Sequence, residues 1–577
     1  MKSLVHNGII VLPPPPYRGL SIVVRGQTRK LDPSQEEMAM AWVRKLGTQY
    51  VEDPVFVRNF MTDFSKALRE KPVLTPEEID FGEVIRAVAA ERAAKEAMTR
   101  EEKKADLERR KAERERLKER YGYAFVDGER MELANYQTEP SGIFMGRGEH
   151  PLRGRWKSGA THQDITLNLS PDAPRPEGPW GNIIWAEDCM WIAKWTDRLT
   201  GNTKYIWLHD STPIKQEREE AKFNKALKIG KRMEEIREHI MQGITSDDSR
   251  RRMVAAVCYL IDRLSIRVGD EKDPDEADTV GATTLRVEHV SFTENSVVLD
   301  FLGKDSVPWH RELELPREVY AVIKKLYDDA RERVASFEGR RSRVTSADSK
   351  KVAQIFPSVS STQVNSFLGE CVPELTAKVF RTFHATETMA RELENSKVRR
   401  TDPDFIKKEA IRRANLEVAR VMNHTKQAPK GWTNTAARYE QRMKAAEQRL
   451  AKMHKKLEEK KKRLRDAKER EEAKRAKSQE TRRKKTGTIQ RLEQSVEAAK
   501  EAYKRAKLAK QRIEVDYALA KATRTWNLGT SLKSYIHPRI VYRWCKKVDY
   551  DWRQVYTKQL QRKFAWVEAG EEESLEG

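Results

Sequence analysis

Residues 531–547 read Ser-Leu-Lys-Ser-Tyr-Ile-His-Pro-Arg-Ile-Val-Tyr-Arg-Trp-Cys-Lys-Lys, which sets Tyr535 among cations. A phenol in such surroundings can be held against a phosphate. If its oxygen is a nucleophile, it can join the protein covalently to a nucleic-acid strand. The segment alone equally suits one of sixteen tyrosines, half-buried beside Trp544. The case therefore turns on whether the chain supplies the other groups such a reaction needs.

Cutting a phosphodiester without metal needs cationic donors for the two non-bridging oxygens and an acid for the departing sugar oxygen. Arginine suits the first task, because its fork matches phosphate and it stays charged. Lysine or histidine suits the second. Four segments offer such groups: Arg267, after an apolar stretch; Lys304, in Phe-Leu-Gly-Lys-Asp-Ser; Lys378 and Arg381, in Leu-Thr-Ala-Lys-Val-Phe-Arg-Thr; and His424, in Val-Met-Asn-His-Thr-Lys. Singly, each has a structural explanation. Arg267 can pair with Asp270 or Glu271, and Lys304 can be a solvated turn lysine. Lys378 and Arg381 can form an exposed helix face, and His424 can be a hydrogen-bonded core histidine.

The elements that must position these groups follow from pattern. Ile9–Leu12 ends in four prolines, Leu20–Val24 precedes a turn at Gly26, and Gln35–Leu46 is helical in period. Residues 83–120 predict one long, mostly exposed helix. Residues 140–215 read as β-rich, with Trp180, Trp185, Trp191 and Trp195 as apolar mass. Residues 216–242 read as charged helix and 252–266 as a core helix. Short strands are expected around Leu285–Val287 and Val297–Leu302, with Gly303-Lys304 at a turn, and helices resume from Pro316. Residues 338–351 look like a flexible insertion.

Residues 441–510 carry 26 Lys/Arg against 11 Asp/Glu. Apolar positions from Met443 to Ala467, and again from Ile489 to Tyr517, recur at three- and four-residue spacing. Two such stripes about Thr486-Gly487-Thr488 predict an antiparallel helical hairpin.

The chain has 577 residues, 35% of them charged, a net charge of +23 and a pI of about 9.6. Such a surface calls for a polyanion, nucleic acid before acidic membrane. No apolar run reaches the ~18–20 residues of a membrane span, and Met1–Pro16 shows no secretory signal. Cys189, Cys258, Cys371 and Cys545 form no Cys-x-x-Cys pair, which argues against a zinc site or disulfide framework and fits a reducing compartment. No Gly-x-x-x-x-Gly-Lys-Ser/Thr loop is present to hold ATP.

Arg267, Lys304, Lys378-x-x-Arg381, His424 and Tyr535, in that order, resemble the active site of eukaryotic type IB DNA topoisomerases. So do Ala277-Asp-Thr-Val-Gly, Leu285-Arg-Val-Glu-His, Phe301-Leu-Gly-Lys-Asp-Ser, Gly529-Thr-Ser, Pro538-Arg-Ile and Trp544-Cys-Lys-Lys. Gly142-Ile-Phe-Met-Gly-Arg-Gly-Glu-His-Pro is similar to a glycine-arginine motif of the family. The resemblance runs from about residue 5 to about 567, without the long charged N-terminal tail of many nuclear members.

The resemblance implies a multidomain α+β protein. It would be a bilobed DNA clamp with a mixed α/β cap over 1–215 and a mainly α-helical catalytic core of the tyrosine recombinase/type IB topoisomerase kind over 216–435. A basic antiparallel coiled-coil linker would span 436–522, and 523–577 would carry the tyrosine. It implies ATP- and metal-independent relaxation of supercoiled duplex DNA, with no cofactor, by a monomer encircling the DNA. Tyr535 would attack the scissile phosphate and form a 3′-phosphotyrosine. Arg267, Arg381 and His424 would bind non-bridging oxygens, and Lys304 would protonate the leaving 5′-oxygen. Arg147 and Asp305 would position DNA, and Lys378 would support. The nucleus is the implied compartment, with an organelle as the alternative; Lys460–Arg463 and Arg482–Lys485 are candidate signals.

Two departures stand out. Ser534 replaces the asparagine that usually precedes the tyrosine and contacts camptothecin-type inhibitors, which predicts weakened sensitivity. Phe383-His-Ala-Thr replaces Tyr-Asn-Ala-Ser, which adds His384 as a titratable group, expected to pack near the site. The rival readings are a tyrosine recombinase, which would carry His-x-x-Arg in place of Lys378-x-x-Arg381, and a non-catalytic DNA-binding or scaffolding protein built on the basic hairpin.

Overall fold

The computed structural model describes every residue except 271–278, 339–345, 476–485 and 569–577. The chain forms two compact units. The first comprises Met1–Ile261, Ile266–Ala377 and Arg562–Gly577, and the second Asp262–Ser265 and Lys378–Gln561.

The N-terminal part of the first unit has two separate cores. One lies between helices Pro33–Val43 and Pro54–Ala67. Phe56, Phe60 and Phe64 recur every fourth residue, so they share one helix face, and Phe60 stacks on Trp42 at 4.6 Å. Burying each ring contributes about 1.5–3 kcal/mol. The strands Ser21–Val24 and Gln27–Lys30 close this core through Arg25-Gly26, both at positive φ, the backbone a two-residue hairpin turn needs.

The other core is built by sheets. Leu4–His6 pairs with Tyr123–Val126, which pairs with Glu129–Glu132. Asn182–Ile184, Thr166–Asn168, Trp191–Thr196 and Thr203–Trp207 make a four-stranded sheet in that order. The β-rich reading of 140–215 holds here.

The single helix expected over 83–120 is two helices, Gly82–Ala97 and Arg100–Tyr121. Thr99 starts the second: its hydroxyl accepts from the Glu102 amide, and the Glu102 carboxylate accepts from the Thr99 amide. This capping box satisfies two donors that a helix start leaves open, and so makes a new start favourable. The charged stretch over 216–242 is likewise divided, into Pro213–Gly230 and Met233–Ile244.

The helix Ser249–Leu264 buries every residue from Val254 to Asp262, as its apolar run requires. An antiparallel sheet follows: Val290–Phe292, Ser296–Gly303 and Val307–Glu314, with Gly303 opposite Val307. Leu285–Val287, expected as a strand, makes only an isolated bridge, Arg286 with Gln354; Leu285 and Arg286 join two one-turn helices, Ala282–Thr284 and Val287–His289. Arg317–Glu338 and Ser361–Cys371 are helices. Within the expected insertion, Ser346–Val352 is also helical, while 339–345 lie outside the described residues. The C-terminal segment of this unit inserts Phe564, fully buried, edge-on against Phe223.

The second unit is helical: the helix beginning at Ala377 and ending at Asn395, then Asp404–Val421, Trp432–Arg475, Thr486–Thr523, Leu528–Ser534 and Pro538–Val548. Trp432–Arg475 and Thr486–Thr523 pack antiparallel. Tyr439 stacks on Tyr517 at 5.2 Å near one end, His454 meets Tyr503, and Lys468 pairs with Glu493 at 2.6 Å toward the other. Leu457, Ala499 and Ala506 are buried in the seam. The connection is not at Thr486-Gly487-Thr488. Those residues are already helical, and the preceding residues 476–485 lie outside the described residues. A glycine in a first helical turn costs little of the ladder, so it does not by itself mark a break.

Candidate active site

Tyr535 ends the short helix Leu528–Ser534, and its amide donates to the Ser531 carbonyl at 3.0 Å. The next helix, Pro538–Val548, begins three residues on. Proline at its first position and the His537 ring accepting from the Arg539 amide fix that start. Its buried face, Val541, Trp544, Cys545 and Val548, anchors the turn, and the Trp544 indole donates to the Leu393 carbonyl at 3.1 Å. Between the two helices, Thr386 donates its hydroxyl hydrogen to the Tyr535 carbonyl (3.2 Å) and accepts from the His537 amide (3.1 Å). Tyr535 is only 6% exposed, deeper than a half-buried tyrosine.

Arg381 comes from the helix that ends at Asn395. Its guanidinium carbon lies 5.0 Å from the centre of the Tyr535 ring. The same group donates to the Ser265 carbonyl and, at 3.4 Å, to the Met422 carbonyl. It is 4% exposed, which overturns the exposed-face explanation, although Lys378, one turn earlier, is exposed. His424 follows the helix Asp404–Val421 by way of Asn423 at positive φ. Its ring centre is 5.4 Å from that of Tyr535, its Nδ1 is 2.8 Å from the Ser531 hydroxyl, and its carbonyl accepts from the Asn527 amide at 2.7 Å. An arginine and a histidine thus flank one buried phenol, all three inside the second unit. A cation over an aromatic face is attractive in itself.

Ser534 is the half-buried residue just before Tyr535. His384 sits one turn beyond Arg381, with Nε2 2.9 Å from Asp262 Oδ1, so the added histidine meets a carboxylate as well as packing. Burial works against its charged form, but the bonds to Asp262 and Glu387 prevail and raise its pKa above the ordinary value.

Arg267, Lys304, Arg147 and Asp305 belong to the first unit. Arg267 is exposed, and its carbonyl accepts from the Ala282 amide at 2.8 Å. Two residues on, Gly269 has φ +120°, and Gly281 packs so tightly on it that an added Cβ would lie 2.4 Å from the Gly269 Cα. The Val280 amide donates to the Leu302 carbonyl at 2.8 Å. Segment 280–282 therefore links the backbone at Arg267 to the strand end before Lys304. Lys304 itself opens a one-turn helix, Lys304–Ser306, and is half-buried. Asp305 is the middle residue of that turn; its side chain lies outside the described part. Ala277 and Asp278 also lie outside the described residues. Arg147 is exposed between Gly146 and Gly148, both at positive φ.

Sequence reasoning did not single out Ser531, Thr386, Asp262 or Ser265. The Gly529-Thr-Ser word contained Ser531, and Thr386 lies in the departing Phe-His-Ala-Thr. Their roles as tethers depend on side-chain and backbone meetings that no spacing encodes.

Three family models match. Residues 211–457 match the catalytic core of eukaryotic DNA topoisomerase I, residues 1–208 its DNA binding fragment, and residues 506–574 a C-terminal topoisomerase domain. DNA topoisomerase 1 beta of Arabidopsis thaliana is 32% identical over 98% of this chain, which spans 58% of that relative's length. DNA topoisomerase 1 of Homo sapiens is 30% identical over 98% of this chain and 70% of its own length. DNA topoisomerase I, mitochondrial, of Pan troglodytes is 30% identical over the whole chain and 91% of its own. The chain belongs to the eukaryotic DNA topoisomerase I family.

Proposed function

We propose that this protein is a type IB DNA topoisomerase that relaxes supercoiled duplex DNA by cutting and rejoining one strand. The observation that carries the reading is the flanking of Tyr535 by Arg381 and His424. A phenol oxygen attacking phosphorus needs cationic and hydrogen-bonding groups where charge gathers on the phosphate, held in place before the reaction begins. Both groups are anchored: Arg381 by two backbone carbonyls, His424 by Ser531.

In this reading the Tyr535 oxygen attacks the scissile phosphorus, the bond to the 5′-oxygen breaks, and a 3′-phosphotyrosine forms. Arg267, Arg381 and His424 stabilise the non-bridging oxygens, and Lys304 gives its proton to the leaving 5′-oxygen. The free end swivels, and the 5′-hydroxyl reverses the step. The covalent bond conserves the phosphodiester energy, so neither nucleotide nor metal is consumed. Arg147 and Asp305 position the duplex, and Lys378 has a supporting role beside Arg381.

The architecture proposed with this function is a clamp, with 1–215 as the cap, 216–435 as the catalytic half, 436–522 as a coiled-coil linker and 523–577 as the tyrosine-bearing end. A monomer would encircle duplex DNA. The net charge of +23 supports binding that is steeply salt-dependent and weakly sequence-selective. No helix among the described residues is long and apolar enough to cross a membrane. The nucleus is the proposed compartment, with an organelle as the alternative that a fluorescent fusion would reveal.

The test is to incubate supercoiled plasmid with the protein in EDTA and without ATP. Relaxation by wild type but not by Tyr535→Phe supports the reading. Failure of folded wild type to relax DNA over a range of salt overturns it, as does detergent trapping that leaves protein on the 5′ end of the nick.

A further inference from the structure

The helix that carries Arg381 holds the stretch Asp262–Ser265 at two points. Arg381 and His384 are three residues apart and so fall on one side of their helix. Their partners are three residues apart as well: Arg381 donates to the Ser265 carbonyl, and His384 Nε2 lies 2.9 Å from Asp262 Oδ1. The second contact is buried, the side chains of His384 and Asp262 being 12% and 2% exposed, and it becomes an ion pair when the imidazole is protonated.

The surroundings of the imidazole favour its charged form. Glu387 Oε2 lies 3.9 Å from Nδ1 on the same helix, and Arg263 approaches the far oxygen of Asp262 at 3.9 Å. The rings of Phe380 and Phe383 lie beside it. Burial opposes the charge, but the two carboxylates prevail. A buried aspartate deprived of its cation would be an uncompensated charge, and the local structure would have to shift to rehydrate it.

Such a shift would travel a short way. Ser265, three residues on, has φ +53°, a backbone state that serine holds only when its neighbours impose it. Its carbonyl is a partner of the guanidinium that sits 5.0 Å from the Tyr535 ring.

The geometry points to His384 as a positioning residue for strand cleavage: paired with Asp262, it fixes the Ser265 carbonyl against which Arg381 sets its guanidinium beside Tyr535. This rests on the proposed role of Arg381 toward phosphate. Cleavage then weakens on the alkaline side as His384 loses its proton, and a side chain that donates without titrating abolishes that component.

The experiment is single-turnover cleavage of a duplex that cannot be religated, over about pH 6 to 9, by the full chain and its His384→Gln and His384→Ala variants. Glutamine can donate to Asp262 without titrating. His384→Ala is expected to cleave on the order of 10- to 100-fold more slowly at neutral pH. His384→Gln is expected to recover most of that loss and to show a flatter alkaline limb than wild type. Superimposable profiles for wild type and His384→Gln, or wild-type rates for His384→Ala, overturn the inference. Should His384→Ala fail to fold, the His384→Gln profile decides alone. If wild type forms no covalent adduct, the functional reading falls and this inference with it; an adduct with an unaltered profile sinks this inference only.

Discussion

The Arg381 guanidinium carbon and the centre of the Tyr535 ring are 5.0 Å apart, although 154 positions separate the two residues in the chain. The arginine is buried and spends donors on two backbone carbonyls, so its orientation is set before any phosphate arrives. That is the arrangement in which a fork of fixed donors outperforms a mobile point charge.

Arg381→Lys should therefore behave as a severe change despite keeping the charge. Single-turnover cleavage is expected to fall on the order of 100- to 1,000-fold. Equilibrium binding to duplex DNA should change little, because many other cations contact the backbone. Cleavage within a few-fold of wild type would show that the fork does not serve the reaction.

His6 makes a prediction about acid stability. Its Nε2 meets the Asn168 carbonyl at 2.9 Å and its Nδ1 accepts from the Gly8 amide, which selects the neutral ring. Burial lowers its pKa to about 4. The unfolded chain takes up a proton near pH 6.5 and the folded one does not, so this contribution is fully present above about 6.5. It is lost as pH falls toward 4, by about 3 kcal/mol in all. Urea unfolding at pH 7 and pH 4.5 should show a smaller drop for His6→Gln than for wild type.

Gly281 is predicted to tolerate no side chain. A Cβ there would meet the Gly269 Cα at 2.4 Å and the Arg267 carbonyl oxygen at 2.7 Å, both backbone atoms. Gly281→Ala should cost about 1–3 kcal/mol, measured by urea unfolding, and should lower relaxation activity by pushing the backbone at Arg267 away from the strand end before Lys304. Unchanged stability would mean that the two backbones part without penalty.

Ser534 should make the protein less sensitive to camptothecin-type inhibitors, since the resemblance places their asparagine contact at this position. Ser534→Asn is expected to increase inhibitor-stabilised cleavage of duplex DNA at a given dose. Equal trapping by the two proteins would remove Ser534 from any account of drug response.

Much of this was legible in the residues. The core helix, the two basic helices and the words that carry Arg381, His424 and Tyr535 could be read because periodicity and exact words are local. What escaped was competition between neighbours. Thr99 breaks a helix that composition alone would continue, because its hydroxyl and Glu102 satisfy a new start. Leu285–Val287 has strand-forming residues but runs into a one-turn helix at Val287, and only a single bridge at Arg286 and the Leu285 carbonyl, which accepts from the Ile355 amide, are strand-like. At the site, Arg381, His424 and Tyr535 could be named, but the groups that hold them could not. Ser531, Thr386 and Ser265 act through a hydroxyl or a carbonyl, and any residue list is rich in those.

Phe564, seated against Phe223, alters how the segment of Tyr535 should be pictured. Residues after Gln561 belong to the first unit, so the stretch that carries Tyr535 is tethered along the chain at both ends and is not a free tail. A chain cut off before Arg562 would keep every reacting group and lose one abutment. Its defect should therefore appear as slack in the placement of the tyrosine rather than as missing chemistry.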